Sequence, residues 1–470
     1  MTEQRPPLRR PGKVAESNGS MGRRLAYVIG AAVTGIGAAM LIAVAFALMY
    51  QEWEVAAQIA LASLITALAG LFAWRVLGAK GELTLRDGFA TVGLSWFVMA
   101  AFGTLPYLFT GSISNLTNAF FETAAGFTTT GSSVVPDPSL LPHGILIWRS
   151  LTQWLGGMGV LVLAVAVLPL LGVGGVQLVR AESPGPQPDR LTPRFRETAK
   201  RLWLLYLGFT VAQAVLLVLG DMTPFEAIAH SFTTMSTGGF STDAGSIGAF
   251  SAYTQWIVII FMLLAGISFT LHFRALRKPL EYPRSTEFRL YGAIVLAATV
   301  IIVGGIWATG AFADVAREGA FTAVSIVTTT GYATANFGEW VSGLQIFVVG
   351  LMFLGGMTGS TAGSVKTFRI GVLTKAAATE LRRYIHPRAV FVVRFGDDTV
   401  DDAIVESAQS FFLFYMFLFM TGTFLMGFIE SSLGAGLDLV TSASSVASAL
   451  GNIGPGLGDV GPAGSYLGIP

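Results

Sequence analysis

Four short runs hold the residues best suited to chemistry. They are Thr128-Thr129-Thr130-Gly131-Ser132-Ser133, Met235-Ser236-Thr237-Gly238-Gly239-Phe240, Thr328-Thr329-Thr330-Gly331-Tyr332-Ala333 and Gly451-Asn452-Ile453-Gly454-Pro455-Gly456. Each is small, polar and glycine-bearing. A dehydrated cation needs a ring of oxygens in place of its water shell, and backbone carbonyls supply one. Glycine permits the φ values that turn successive carbonyls toward one axis, and Thr and Ser add hydroxyl oxygens. Aligned on Gly131, Gly238, Gly331 and Gly454, the runs recur roughly every 100 residues, an internal repeat of a kind common in membrane transport proteins. The pattern marks Thr129, Thr130, Gly131, Thr237, Gly238, Thr329, Thr330, Gly331, Asn452, Ile453 and Gly454 as a four-part ion filter. One Thr-Thr-Gly run alone reads as an ordinary turn; four in matching contexts do not.

The context is a short apolar segment before each run, at 114–128, 223–236, 312–328 and 436–450. These are too short to cross a bilayer and read as re-entrant half-helices. Each would point its C-terminus at the loop, where the helix dipole favours a cation. In the second, Thr223, Pro224 and Glu226 form a capping signature. Glu122 and Glu318 are expected near half-helix N-termini in structural roles. Irregular backbone at membrane depth is tolerated only where it lines water or is buried in protein, which suits a pore.

Longer apolar runs, near 25–50, 55–78, 88–110, 144–172, 202–220, 251–273, 289–310, 343–372 and 404–429, are long enough to span a membrane. The chain of 470 residues is 53% hydrophobic and only 12% charged, a polytopic membrane composition. With the N-terminus inside, all of the 29 Lys and Arg except Arg149, Arg317 and Lys366 fall in inner segments or at inner helix ends. Every half-helix then enters from the outer face. Arg149 is expected to be paired or water-facing, in a structural role. A net charge of +1 implies no nucleic-acid partner. The absence of Cys removes disulfides and thiolate sites, and four His with no His-x-x-x-His pair argue against a bound transition metal. No Walker A, His-Glu-x-x-His or Gly-x-Ser-x-Gly motif is present, and no enzymatic activity is expected.

Together with Trp148-Arg149-Ser150-Leu151-Thr152-Gln153-Trp154-Leu155-Gly156-Gly157-Met158-Gly159, Leu191-Thr192-Pro193-Arg194, Ser285-Thr286-Glu287-Phe288-Arg289, Ile385-His386-Pro387-Arg388 and Gly355-Gly356-Met357-Thr358-Gly359-Ser360-Thr361-Ala362-Gly363-Ser364, these loops resemble the TrkH-type membrane subunits of Trk potassium uptake systems. The superfamily also holds the Ktr and plant HKT transporters. The resemblance runs from residue 85 onward, and two extra helices ahead of it look like the Trk branch. It implies a filter for potassium, with the ion met at Thr130, Thr237, Thr330 and Ile453, and with Gly131 standing where sodium-transporting plant relatives carry serine. It also implies a homodimer with one pore per subunit in the cytoplasmic (inner) membrane, and a separately encoded, TrkA-like nucleotide-binding regulatory subunit on the cytoplasmic side. Potassium is the cargo, and no organic cofactor is implied.

The expected fold is an all-α polytopic membrane protein. A cytoplasmic tail (1–23) and two additional helices (24–84) precede helix–half-helix–filter loop–helix repeats at 85–185, 186–284, 285–395 and 396–470. Only residues 455–470 follow Gly454, so the fourth repeat is expected to lack its closing helix. Within the third repeat, Gly356, Thr358, Gly359, Ser360, Thr361 and Gly363 interrupt an apolar run just before Lys366. They are expected to form a movable gate under the filter. Lys366 either repels cations or pairs with a carbonyl there, or snorkels to the inner surface. Two other functions fit the same chain: a non-conducting regulatory scaffold, favoured by the short fourth repeat, and a sodium- or proton-coupled symporter. The second would need intramembrane carboxylates, yet Asp221, Asp314 and Asp438 lie toward the outer edge.

Overall fold

The computed structural model describes residues 20–79, 85–166, 192–310, 314–433 and 438–469. Most of the expected tail lies outside these residues, and helix α1 (Met21–Met49) is already formed at Met21. It makes an antiparallel hairpin with α2 (Trp53–Phe72), which ends in a π-helical turn over Ala73–Leu77. The two backbones touch. A Cβ on Gly70 would lie 2.4 Å from the Thr34 amide nitrogen, and one on Gly30 equally close to that of Trp74. Such small-residue contact is how helices associate where apolar burial gives no advantage over lipid. A buried ion pair, Arg24 to Asp87 at 2.7 Å, fastens this hairpin to α3 (Leu85–Gly103).

One element order then recurs. Helix α3 is followed by half-helix α4 (Leu116–Phe127), a loop, and α5 (His143–Ala166). Helix α6 (Thr192–Val218) leads to half-helix α7 (Pro224–Met235), a loop, and α8 (Ala252–Ala265) with α9 (Phe269–Ala275). Helix α10 (Thr286–Ala308) leads to half-helix α11 (Val315–Val327), a loop, α12 (Ser342–Leu351) and α13 (Thr367–Ile385). Finally α14 (Asp402–Leu433) leads to half-helix α15 (Leu439–Gly451) and its loop. The half-helices have 12 or 13 residues, about 20 Å of helix against a hydrocarbon core of about 30 Å. Their starts are chemically marked. Asn115 accepts the Thr117 amide at 2.8 Å, Asp438 accepts that of Thr441 at 2.7 Å, and Thr223 and Glu226 form the expected capping box.

Among the described residues, six helices are long and apolar enough to span a membrane, and α8 with α9 pass as a seventh, bent by 97°. The expected continuous run 251–273 is therefore broken, at Gly266–Ser268. The run 343–372 is likewise α12, an irregular loop at 352–366, and α13. The end of the run 144–172 lies outside the described residues. Two helices reach beyond their apolar runs: α6 starts at Thr192, where Pro193 suits a first turn, and α13 continues to Ile385. Hydropathy marks only the part of a helix in contact with lipid, not the helix itself. The chain is not wholly α. Leu354–Gly355 pairs in parallel with Val365–Lys366, and Arg394–Phe395 pairs antiparallel with Asp398–Thr399. Helix α14 exposes Phe414, Phe417, Phe424 and Phe428, as a lipid-facing surface does.

Candidate functional site: a ring of four loops

The first three half-helices end the same way. Two successive amides of the loop converge on one carbonyl of the last turn: Thr130 and Gly131 on Ala125, Gly238 and Gly239 on Thr233, Thr330 and Gly331 on Ser325. In the fourth loop the Ile453 amide reaches Ser448. The backbone then alternates into the left-handed region at Thr129 and Gly131, Thr237 and Gly239, Thr329 and Gly331, and Asn452 and Gly454. This pattern corrects the sequence register of the second loop. Gly239, not Gly238, stands level with Gly131, Gly331 and Gly454. Gly238 stands with Thr130, Thr330 and Ile453, and Thr237 with Thr129, Thr329 and Asn452. Consecutive glycines leave the register of a sequence alignment open, and only φ distinguishes them.

The four glycines meet their neighbours in chain order. A Cβ on Gly131 would lie 2.2 Å from the Gly238 carbonyl oxygen. One on Gly239 would lie 1.9 Å from that of Thr330, and one on Gly331 1.7 Å from that of Ile453. The series closes at Gly454, whose Cβ would lie 3.2 Å from the Thr130 oxygen. Four loops thus form a ring with no room for a Cβ at Gly131, Gly239 or Gly331 and little at Gly454. The last seam is looser and is stitched by side chains. The Asn452 amide donates to the Thr128 carbonyl at 2.7 Å and to Thr129 Oγ1 at 3.1 Å, and its oxygen accepts from Thr130 Oγ1. Tyr466 adds a hydroxyl bond to the Gly454 carbonyl at 2.8 Å and an amide bond to Ser133 at 2.8 Å.

The long motif at 148–159 earns its residues here. Helix α5 wedges between α4 and α7, and its glycines allow this: a Cβ on Gly156 would lie 2.0 Å from the Phe127 oxygen, and one on Gly157 2.8 Å from Ser236 Cα. One turn apart on this helix, Arg149 and Gln153 both reach the loops. Gln153 brackets the second loop, donating to the Gly238 carbonyl at 2.7 Å and accepting the Phe240 amide at 3.1 Å. Arg149 is paired, as expected, with Glu122 at 2.8 Å. Glu122 corrects the sequence expectation, because it lies in the middle of α4 and is fully buried, not at its N-terminus. Glu318 does sit in the first turn of α11. Gln153, Tyr332 and Asn452 as brackets were not visible in the sequence; for Gln153, its i,i+4 spacing from Arg149 is a usable signal. Tyr332 bonds the Thr233 hydroxyl.

The gate-candidate residues lie directly against the ring. Thr361 Oγ1 donates to the Met235 carbonyl at the end of α7 at 3.1 Å, and the Gly363 amide donates to Thr329 Oγ1 at 2.6 Å. A Cβ on Gly363 would meet the Gly451 oxygen at 2.5 Å. The loop is also laced to the break between α8 and α9, through Met357 N to Gly266 O at 2.8 Å and Phe269 N to Gly359 O at 3.0 Å. Gly359 is left-handed, the Gly356 carbonyl accepts Thr367 N at 3.1 Å, and the Thr358 amide bonds Glu287 Oε1 at 2.6 Å. Ser360 turns onto the Met357 carbonyl at 2.6 Å. Lys366 folds back on the loop, its ammonium bonding the Ala362 and Ser360 carbonyls. The carboxylates of Asp221, Asp314 and Asp438 are anchors. Asp221 takes Ser251 and Thr254, Asp314 pairs with Arg317 at 2.8 Å, and Asp438 caps α15. Although partial burial pushes the Asp221 carboxyl up, the hydrogen bonds from Thr254 and Ser251 hold it below its ordinary value.

A multi-pass helical protein whose short half-helices hold glycine loops in a ring has the build of a membrane cation transporter. The chain belongs to the TrkH family of cation transport proteins, whose family model matches residues 55–289 and 293–464, and it is a transport protein rather than an enzyme. It is 41% identical over 392 residues to the Trk system potassium uptake protein TrkH of Vibrio parahaemolyticus, covering 81% of this chain and 79% of the relative. To the protein of the same description from Escherichia coli K12 it is 38% identical over 446 residues, covering 93% and 91%. The crystal structure of the potassium transporter TrkH from Vibrio parahaemolyticus superposes with a TM-score of 0.85 at 35% identity, over 93% of this chain and 91% of that one.

Proposed function

We propose that the chain carries potassium across the cytoplasmic membrane, N-terminus inside, by passing the dehydrated ion through the ring of four loops. The observation that carries this is the closed series of glycine–carbonyl approaches from Gly131 to Gly454. Oxygens are crowded there at one level, and helix C-termini converge behind them. The relatives described as potassium uptake proteins support the choice of ion. The ion meets the level of Thr130, Gly238, Thr330 and Ile453, flanked by Thr129, Thr237, Thr329 and Asn452. The membrane potential drives it by about 2.3 kcal/mol per 100 mV. The intramembrane loop, from Gly356 to Lys366, is the gate and blocks the path beneath the ring. Four repeats with the boundaries drawn from sequence, a homodimer and a nucleotide-binding regulatory subunit on the inner face complete the proposal.

The test is rubidium uptake into liposomes holding the purified protein, with a negative interior, beside Gly131→Ser. Uptake that prefers rubidium to sodium in the parent, and loses that preference in the variant, is the expected result. A variant with unchanged preference overturns the filter.

A further inference from the structure

Behind the seam between the first two loops lies a charged cluster that the ring itself does not require. Glu122 is fully buried and Arg149 is 2% exposed. Glu122 Oε1 accepts from Arg149 Nε at 2.8 Å and from Ser133 Oγ at 3.0 Å. Oε2 accepts the Val134 amide at 2.9 Å and lies 3.1 Å from the same Ser133 Oγ, whose single proton the two oxygens share. Arg149 continues across the seam, with Nη1 donating to the Ser241 carbonyl at 3.1 Å and Nη2 to Ser133 Oγ at 3.1 Å. Its guanidinium carbon stands 4.2 Å from the centre of the Phe240 ring. One ion pair therefore holds the chain two and three residues beyond Gly131, and one and two residues beyond Gly239.

The equivalent positions in the other half-helices are His230, Thr322 and Ser445, and none is a carboxylate. His230 repeats the bracket in a weaker form, with Nε2 3.1 Å from Ser241 Oγ. A buried ion pair adds little stability over a well-packed apolar replacement. What it supplies is fixed geometry: a planar fork on one side and, on the other, a carboxylate held on both oxygens by Arg149, the Val134 amide and the Ser133 hydroxyl. We propose that Glu122 and Arg149 are positioning residues for ion selection, setting the width of the ring at the seam between the first and second loops. This rests on the filter reading above. Glycine loops are compliant by nature, and discrimination between two ions that differ only in radius requires that the oxygens not follow the smaller one inward.

The experiment measures the ratio of rubidium to sodium uptake in liposomes for Glu122→Gln, Arg149→Lys and Ser133→Ala, beside Gly131→Ser, with size-exclusion profiles to show folded protein. Glu122→Gln keeps the shape and removes the charge. Its ratio is expected to fall about tenfold, which corresponds to about 1.4 kcal/mol of lost discrimination. Arg149→Lys, which keeps the charge but loses the fork, is expected to fall comparably. Ser133→Ala leaves no charge unpaired and is expected to fall less. Unchanged ratios in folded Glu122→Gln and Ser133→Ala, while Gly131→Ser shifts its ratio, overturn the positioning role alone. If Gly131→Ser does not shift its ratio either, the filter reading falls and this inference with it. If Glu122→Gln does not fold, Ser133→Ala decides.

Discussion

The ring and the intramembrane loop are made of the same residues and held in opposite ways. Both are irregular stretches of Gly, Ser and Thr deep among helices. Each ring loop is tied first to its own half-helix, through paired amides on Ala125, Thr233 or Ser325 and a single amide on Ser448. Its lateral contacts then leave no space for a Cβ at Gly131, Gly239 or Gly331. The loop at 352–366 instead sends its bonds outward to Gly266, Phe269, Glu287 and Thr329, while Ser360, Ser364 and Lys366 turn onto its own backbone. A segment tied to its own scaffold is rigid. A segment tied mainly to its neighbours can move only when those outward bonds are exchanged, while the bonds it makes to itself travel with it. Composition therefore does not distinguish the two segments; tethering does.

The largest effect that would break this contrast comes from a single methyl group. Gly331→Ala places a Cβ within 1.7 Å of the Ile453 oxygen at a φ of 79°, and strain at such a site costs about 1–3 kcal/mol before any clash is counted. Rubidium uptake is expected to vanish, while Gly343→Ala, which meets nothing within 4 Å, leaves it unchanged; equal activity in the two would mean that the ring is not rigid. Next, deletion of residues 357–362 is expected to raise flux several-fold, and a folded deletion with unaltered flux would show that the loop blocks nothing. Glu287→Gln weakens one tether of the loop, the bond to the Thr358 amide, where a charged acceptor adds about 1.5–3 kcal/mol. Flux is expected to rise, by less than in the deletion; a fall would make Glu287 part of the conduction path instead.

The smallest effect belongs to the ring side. The hydrogen bonds from Thr441 hold the Asp438 carboxyl below its ordinary value. A depressed carboxyl adds stability above its unfolded pKa, about 3.9, and loses it as pH falls through the folded value. Asn caps helices about as well at any pH. Asp438→Asn is therefore expected to melt with the parent at pH 7 and above it in strong acid. Parallel acid limbs would remove Asp438 from the account.

The half-helices were legible because two signals coincide at each: an apolar run too short to span, and a polar glycine run after it. The Thr223–Glu226 box even marked a start. What stayed hidden depends on φ or on distant partners. Gly238 and Gly239 are indistinguishable in composition. The break at Gly266–Ser268 lies inside an apolar run, because its freed backbone groups are satisfied by the loop at 357–359, far along the chain. Glu122 looked like a helix-terminal acid because its partner is 27 residues away on another helix.

The seam between the fourth and first loops has a consequence for biosynthesis. Asn452 and Thr130 are 322 residues apart, which at ordinary translation speeds is roughly 15–65 s. For that time the first loop exists without the neighbour that completes its rim. Its internal clamp forms within 27 residues and needs only α4 and α5. Arg149 and Glu122 can therefore shelter each other from lipid while the remaining three sides of the ring are still being made.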